Sequence, residues 1–517
     1  MVKNFYVVIL LLALTVTSCG PASPTPSILG EDEMNTGSKN LINFAYEKPE
    51  EEYLKLIDGL ISDGGDINAQ TSYGETPLKV SFNQGKAAAV RKLLELGADP
   101  SVLGWDNIHI RTALGSLENL QAHPPQPEEL VSRTAKGLTP FLMAVHLGHI
   151  EMAKYLLPLT SEAGRYSASE NQGPLLIASR HARLEMSRWL LEEGFDARHS
   201  TPFGETALHR ASEVGSVELV DLLLEAGADA HAEYNLSASL RARPTYKPDE
   251  FESDHDTIFT PMENAGSGAI VLLLHKAGAS LKDISQEARR DLTGASNIPR
   301  ADISRGDFEH LRARAYGKQN PELSTNPFWM EQVRTGNSAY RAFANLFGES
   351  KEPAGDPIWS FDRYGTSLTA LPEGHWLEIA GEHEDWYDRD FCIYNDVVVH
   401  DGQGNTQIYT YPKSVFPNTD FHSATLVGDS IFIIGNLGYQ NERRVGMTPV
   451  YRLELSDYSI REVQTSGENP GWISGHEAEL DGSSITIKGG EIWDGTELHD
   501  TQSAWKLDMR TFKWTKQ

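Results

Sequence analysis

Residues 204–229, GETALHRASEVGSVELVDLLLEAGAD, constrain the fold more than any other stretch of this chain. A turn opening at Gly204 leads into Thr206, Ala207, Leu208 and His209, and Leu208 and Ala211 face inward on a first short helix. Val220, Leu222, Leu223 and Leu224 make a second helix. Gly227 follows it, where a left-handed cap suits a residue without a Cβ. The stretch predicts one unit of a stacked helical array.

The pattern recurs along the first half of the chain. Leu41, Ile42, Phe44, Tyr46, Tyr53, Leu54, Ile57, Leu60 and Ile61 recur at helical spacing and end in Gly64-Gly65-Asp66. Further units open at Gly74 (GETPLKVSFNQGKAAAVRKLLELGADP), Gly137 (GLTPFLMAVHLGHIEMAKYLL), Gly173 (GPLLIASRHARLEMSRWLLEEGFD) and Thr257 (TIFTPMENAGSGAIVLLLHKAGAS). These units resemble ankyrin repeats, pairs of short helices with a period near 33 residues. The resemblance implies an α-solenoid over residues 39–286, with an atypical capping repeat first, presenting exposed side chains to a protein partner. Pro124, Pro125 and Pro127 favour a loop insertion over 104–136 above a decayed repeat around Arg111-Thr112-Ala113-Leu114. A polar stretch with Pro244 and Pro248 predicts a second insertion over 236–256. The aromatic hairpin residues Tyr73, Trp105 and Phe203 are the candidate partner contacts, local packing between hairpins being the alternative.

Residues 287–356 read as a helical connector, with helix candidates at 304–316 and 327–347. From Ile358 the periodicity becomes alternating. TSLTALPEGHWLEIAG (366–381), HSATLVGDSIFIIG (422–435) and HEAELDGSSITIKGG (476–490) align, with Gly381, Gly435 and Gly489 at equal intervals. Each reads as strand, turn and second strand, and 399–408, 451–460 and 505–514 supply a third and fourth. Such units resemble kelch repeats. The resemblance implies a β-propeller-type domain over 357–517 with about three blades, below the usual four to eight. Residues 357–361 add one closing strand at most. The domain is open or compact, completed by residues 300–356, or paired between chains. The fold class expected is therefore multidomain, an ankyrin α-solenoid followed by a kelch-like antiparallel β domain.

The start of the chain reads as a targeting segment. Lys3 precedes an apolar run from Phe5 to Val16, too short for an ordinary membrane span and suited to a secretory signal. Val16-Thr17-Ser18-Cys19 resembles the bacterial lipobox, which implies a signal peptide over 1–18 and lipidation at Cys19. Residues 19–38, rich in Pro and Ser at the start, suit a flexible tether. The expected location is the bacterial envelope, the lipid anchoring the chain to a membrane, the outer one facing the periplasm or the cell surface. The expected partners are envelope proteins of unidentified kind. Cys392 is the other cysteine, so with Cys19 lipidated no intrachain disulfide and no Cys-based zinc site remain.

A net charge of −28 and a pI near 5.0, without a Lys/Arg cluster, exclude nucleic acid as an expected partner. The densest polar cluster is the 381–396 loop, with His383, Glu384, Asp385, Asp388 and Asp390. Carboxylates at that spacing suit a hard cation such as Ca²⁺, or a sugar-binding or sugar-modifying site, although the ordered ligands of an EF-hand are absent. The alternative is a solvated acidic loop. Copper radical chemistry of the kind some kelch propellers perform is disfavoured, because His422 and His476 hold equivalent repeat positions and Cys392 lies on an alternating run. No phosphate loop, HExxH or CxxC is present, and no catalytic set is spelled out, so no cofactor other than Ca²⁺ is expected.

Overall fold

The computed structural model describes residues 34–168, 170–242, 257–282, 284–349, 357–383 and 391–517. Two compact units emerge. The first runs to Gly266 and includes Leu273–Ala279, and the second comprises Ser267–Leu272 and Ser280–Gln517.

The first unit is a succession of helix pairs. They are α1 (Thr36–Glu47) and α2 (Glu50–Ser62), α3 (Pro77–Asn83) and α4 (Ala87–Glu95), and α5 (Asn107–Ala113) and α6 (Leu117–Ala122). Then come α7 (Pro140–Leu147) and α8 (Ile150–Leu156), α9 (Pro174–Ser179) and α10 (Leu184–Glu192), and α11 (Ala207–Glu213) and α12 (Val217–Glu225). The starts are written locally. Thr76 and Thr139 accept from the amides of Lys79 and Leu142, and a proline occupies the first turn of α3, α7 and α9. A capping hydroxyl satisfies an orphan amide, and proline has no amide to leave unpaired there. The inner helices α7, α9 and α11 pack in succession. Every residue of α7 and α9 is buried, as expected of helices that are apolar all round.

The insertion expected over 104–136 is corrected by α5 and α6, which make this stretch the decayed repeat instead. Its prolines lie beyond α6, with Pro127 in the first turn of a one-turn helix, Pro127–Leu130, where it breaks nothing. At 236–256, Leu236–Arg241 is a helix, and Tyr234–Asn235 pairs with Ile258–Phe259. Residues 243–256 lie outside the described residues.

The second unit holds three antiparallel sheets of four main strands. Sheet 1 is β1 (Ser367–Ala370), β2 (Trp376–Ile379), β3 (Val397–His400) and β4 (Thr406–Thr410). Sheet 2 is β5 (Ser423–Val427), β6 (Ser430–Ile434), β7 (Val450–Glu454) and β8 (Ile460–Glu462). Sheet 3 is β9 (Glu477–Asp481), β10 (Ser484–Lys488), β11 (Ala504–Asp508) and β12 (Lys513–Lys516). The aligned stretches thus form strands one and two of each sheet. The sheets do not close on one another.

What surrounds each sheet explains the open arrangement. Leu377, Ile379, Val397 and Val399 of sheet 1 share a core with Ile431, Ile433 and Leu453 of sheet 2. Phe432, Ile434 and Val450 of sheet 2 share another with Ile485, Ile487, Trp505, Leu507 and Trp514 of sheet 3. The remaining face of sheet 1, through Val398 and Ile408, packs on Phe308, Phe328, Trp329 and Phe343. These belong to the helices α14 (Arg305–Leu311), α15 (Pro327–Thr335) and α16 (Ala339–Phe347), which follow α13 (Gln286–Thr293). The stretch read as a connector therefore shares the core of the sheets. Trp359 stacks on Trp329 with centroids 4.9 Å apart, a pairing worth about 0.5–1.5 kcal/mol beyond its buried area. The far face of sheet 3 is polar, where Glu479, Thr486, Lys506 and Thr515 stand in register across its four strands. Residues 357–361 add no closing strand, for Ile358 makes a single bridge to Ala313.

Candidate functional site

The hairpins that precede the helix pairs form the candidate partner surface. Thr71, Thr134 and Thr201 each accept, through the hydroxyl, the amide of the residue four positions on, at 3.1, 3.2 and 3.1 Å. Gly74, Gly137 and Gly204 close those turns with φ of 75°, 76° and 90°, a region that suits glycine. At Gly204 a Cβ would also meet the Glu233 carbonyl oxygen at 1.9 Å. The Thr-x-x-Gly spacing was legible in the sequence and marks the hairpins better than their aromatics do.

The three aromatic candidates separate. Tyr73 is 67 % exposed at a hairpin turn. Phe203 is half-buried. Trp105 is only 7 % exposed and packs edge-on against Phe82 at 4.9 Å, so local packing takes it from the surface. Between the hairpins at 200–206 and 229–233 lies an open groove of about 540 Å³, lined by Arg198, Ser200, Asp229, His231 and Glu233 among others.

Charged groups line the array beside the hairpins. Glu205, 3 % exposed, takes the guanidinium of Arg210 and lies 3.9 Å from that of Arg180. Arg210 reaches Glu213 as well. Burial alone would disfavour the Arg210 charge; Glu205 and Glu213 more than offset this, and its pKa is raised. Glu205 therefore holds Arg210 of α11 and lies beside Arg180, which follows α9. Charged residues five apart at the start of a short helix carry no periodic signal, so this pair is not legible in the sequence.

The C-terminal ends of α3 and α7 meet directly, although α4, α5 and α6 lie between them in sequence. His146 on α7 lies 2.6 Å from the Phe82 carbonyl, and its ring packs on Phe82 at 4.6 Å. Arg183, after α9, donates to the Gly85 carbonyl. α7 and α9 are wholly buried, so the accessible side chains of this part of the array lie on the hairpins.

In the second unit His383 is 3 % exposed, its Nδ1 3.1 Å from the Asp362 carbonyl. Glu384, Asp385, Asp388 and Asp390 lie outside the described residues, as does Cys19. Cys392 and Tyr394 are core residues beside Trp359, and burial pushes the Cys392 thiol up to about 11. His422 and His476 each meet a serine on the first strand of the preceding sheet, Ser367 at 2.8 Å and Ser423 at 2.9 Å, as repeat-equivalent positions should. Among the described residues, the one His/Cys/Asp/Glu group with metal-ligand spacing is exposed Asp494, Glu497 and His499, where Asp494 already accepts the turn amides of Thr496 and Glu497.

Residues 109–201 and 141–234 match the family model for ankyrin repeats. The B-cell lymphoma 3 protein homolog of Mus musculus is 28% identical over 172 residues, 32% of this chain and 38% of that protein. The nuclear factor NF-kappa-B p105 subunit of Gallus gallus is 26% identical over 243 residues, 44% of this chain and 25% of its own length. The probable 26S proteasome regulatory subunit p28 of Saccharomyces cerevisiae is 36% identical over 98 residues, 18% of this chain and 42% of its own. The chain thus spans less than half the length of each. The crystal structure of the ankyrin repeat domain of Bcl-3 is 23% identical, covering 47% of this chain and 100% of that one, with a TM-score of 0.26. At that score the likeness adds no weight, and the repeat identity rests on the family match and the helix pairs themselves. The helical region is an array of ankyrin repeats, followed in the chain by a β-rich region.

Proposed function

We propose that this chain is a lipid-anchored scaffold of the bacterial envelope that captures a protein partner on the hairpin side of its ankyrin array. Ankyrin repeats imply a protein–protein interaction scaffold, and solenoids bind through exposed side chains along the stack. The observation that carries the reading is the division of labour in the array. α7 and α9 are buried on every residue, while Tyr73 and the groove between hairpins remain accessible. The lipobox-like Val16-Thr17-Ser18-Cys19 supports the anchor. Among the described residues no helix is long and apolar enough to cross a membrane. The kelch-like spacing of the β region is kept as a resemblance and adds no activity to this reading.

The test is site-specific photo-crosslinking of the full chain in a bacterial envelope, with the photoreactive residue at Tyr73 or at Phe203, and at Glu95 as a control. A protein species crosslinked from 73 and 203 and absent from 95 supports the surface. Equal yields from all three positions overturn it. Radiolabelled palmitate that persists on Cys19→Ala removes the anchor from the proposal.

A further inference from the structure

Where α3 and α7 meet, two histidines form a hydrogen-bonded chain with fixed direction. The Phe82 oxygen can only accept, so His146 Nε2, 2.6 Å away, donates to it. A neutral imidazole has one N–H, which leaves His146 Nδ1 as an acceptor. His181 Nε2 lies 3.2 Å from that Nδ1 and donates to it, the two rings meeting edge-on with centroids 4.5 Å apart. Each ring has placed its single proton, and the pair links α3 to α7 and to the turn after α9.

A second proton has no room here. On His146 Nδ1 it would point at the His181 N–H, turning an acceptor into a second donor. On His181 it would add a cation to a site already ringed by cations. The charged groups that bear most on the pair are Lys136, Arg180 and Arg183. The acids act one step away, Glu75 on Lys136, Glu205 on Arg180 and Glu50 on Arg183. Gly85 packs against the His181 ring so closely that a Cβ would lie 2.7 Å from it, which leaves the ring no space to turn aside.

We propose that His146 and His181 form an acid-released latch that holds the ends of α3 and α7 together at neutral pH and lets them part when either ring takes up a second proton. Burial, with the nearby cations, holds His146 down to about 3, and burial, then His146 and the same cations, holds His181 lower still. Opening exposes both rings to water, where they regain an ordinary value near 6.5. The latch concerns motion within the array and does not depend on which partner the array binds.

The experiment is hydrogen exchange of the full chain at pH 7.5 and pH 5.0, corrected for intrinsic rates, read on peptides from 77–83 and 140–147. One histidine titrating only in the open form lowers protection about 30-fold at pH 5.0, and both together about a thousandfold. The double variant His146→Gln, His181→Gln keeps amide donors and acceptors without titrating, so its protection should change less than threefold. A wild-type change below threefold, or an equal loss in the variant, overturns the latch. If the variant does not fold, imidazole carbon resonances of the wild type decide. Loss of protection in step with the titration of both rings supports the latch; either ring titrating near 6.5 with 77–83 and 140–147 still protected overturns it.

Discussion

Sheets 2 and 3 are built from the same repeating pattern, and their second strands show how differently it can be used. β6 reads Ser-Ile-Phe-Ile-Ile and is buried at every residue. β10 reads Ser-Ile-Thr-Ile-Lys, with Thr486 half-buried and Lys488 exposed. A strand covered on both faces tolerates a continuous apolar run, whereas one covered on a single face alternates. Phe432 and Thr486 are the repeat-equivalent residues, and that one difference separates a middle layer from a last layer. Sheet 1 belongs with sheet 2, since β3 reads Val-Val-Val-His and is buried throughout. The stack grows from the helices through sheet 1 and sheet 2, and it stops where Thr486, Lys506 and Thr515 face water.

The largest effect that would sharpen this contrast comes from a buried charge beside sheet 1, just before β3. Arg363 binds both oxygens of Asp396, which also accepts the Trp359 indole N–H at 2.7 Å. All three are at most 6 % exposed. Asp396→Ala leaves a buried guanidinium unpaired and should cost about 3–5 kcal/mol in urea denaturation. A loss below about 1 kcal/mol would mean that water reaches this layer and that sheet 1 is not covered on both faces.

Truncations along β6 and β10 test the contrast directly. Phe432→Ala should cost about 3–5 kcal/mol and Ile433→Ala about 2–5, because the two side chains fill cores on opposite faces of sheet 2. Ile487→Ala belongs in the same range, while Thr486→Ala should stay within about 0.5 kcal/mol of the wild type. A Thr486→Ala loss as large as that of Ile433→Ala would reveal a further layer over sheet 3.

Acid should weaken the contacts between the sheets. Burial, then His476, holds His422 down to about 3, and burial, then Lys282, holds His476 down to about 4. Both values lie below the ordinary 6.5, so the unfolded chain binds protons first. The stability is complete above about pH 6.5 and drains as pH falls toward 4 and 3, by about 1.4 kcal/mol per pH unit for each histidine. His422→Gln with His476→Gln should flatten the decline between pH 6.5 and 4.5, and an unchanged slope would show that other groups set it. The smallest effect is Lys506→Ala, which removes an exposed ion pair to Asp481 at 3.2 Å and should cost less than about 1 kcal/mol.

Much of the architecture was legible in residues near one another. Thr-Pro starts, left-handed glycines and helical spacing define the pairs in the first unit, because caps and one-sided burial act within a few residues. The equal spacing of Gly381, Gly435 and Gly489 marks the three sheets for the same reason. The partner surface was less legible. Tyr73 is exposed as its hairpin position implies, yet Trp105 is taken by Phe82, a partner more than twenty residues earlier that no local pattern signals. The prolines near 124 misled in the opposite way, since a proline interrupts a helix only from inside it.

The sequence by itself determined the apolar periodicity of the repeats, where the Thr-capped helices start, and that helices precede strands. The tertiary structure alone decided what covers those faces: α14, α15 and α16 on sheet 1, water on sheet 3, and His181 against His146 at the meeting of α3 and α7. The reason is physical. Periodicity records that a face must be hidden from water, but hydrophobic burial is non-directional, so the identity of the covering surface is settled only when distant segments compete to provide it.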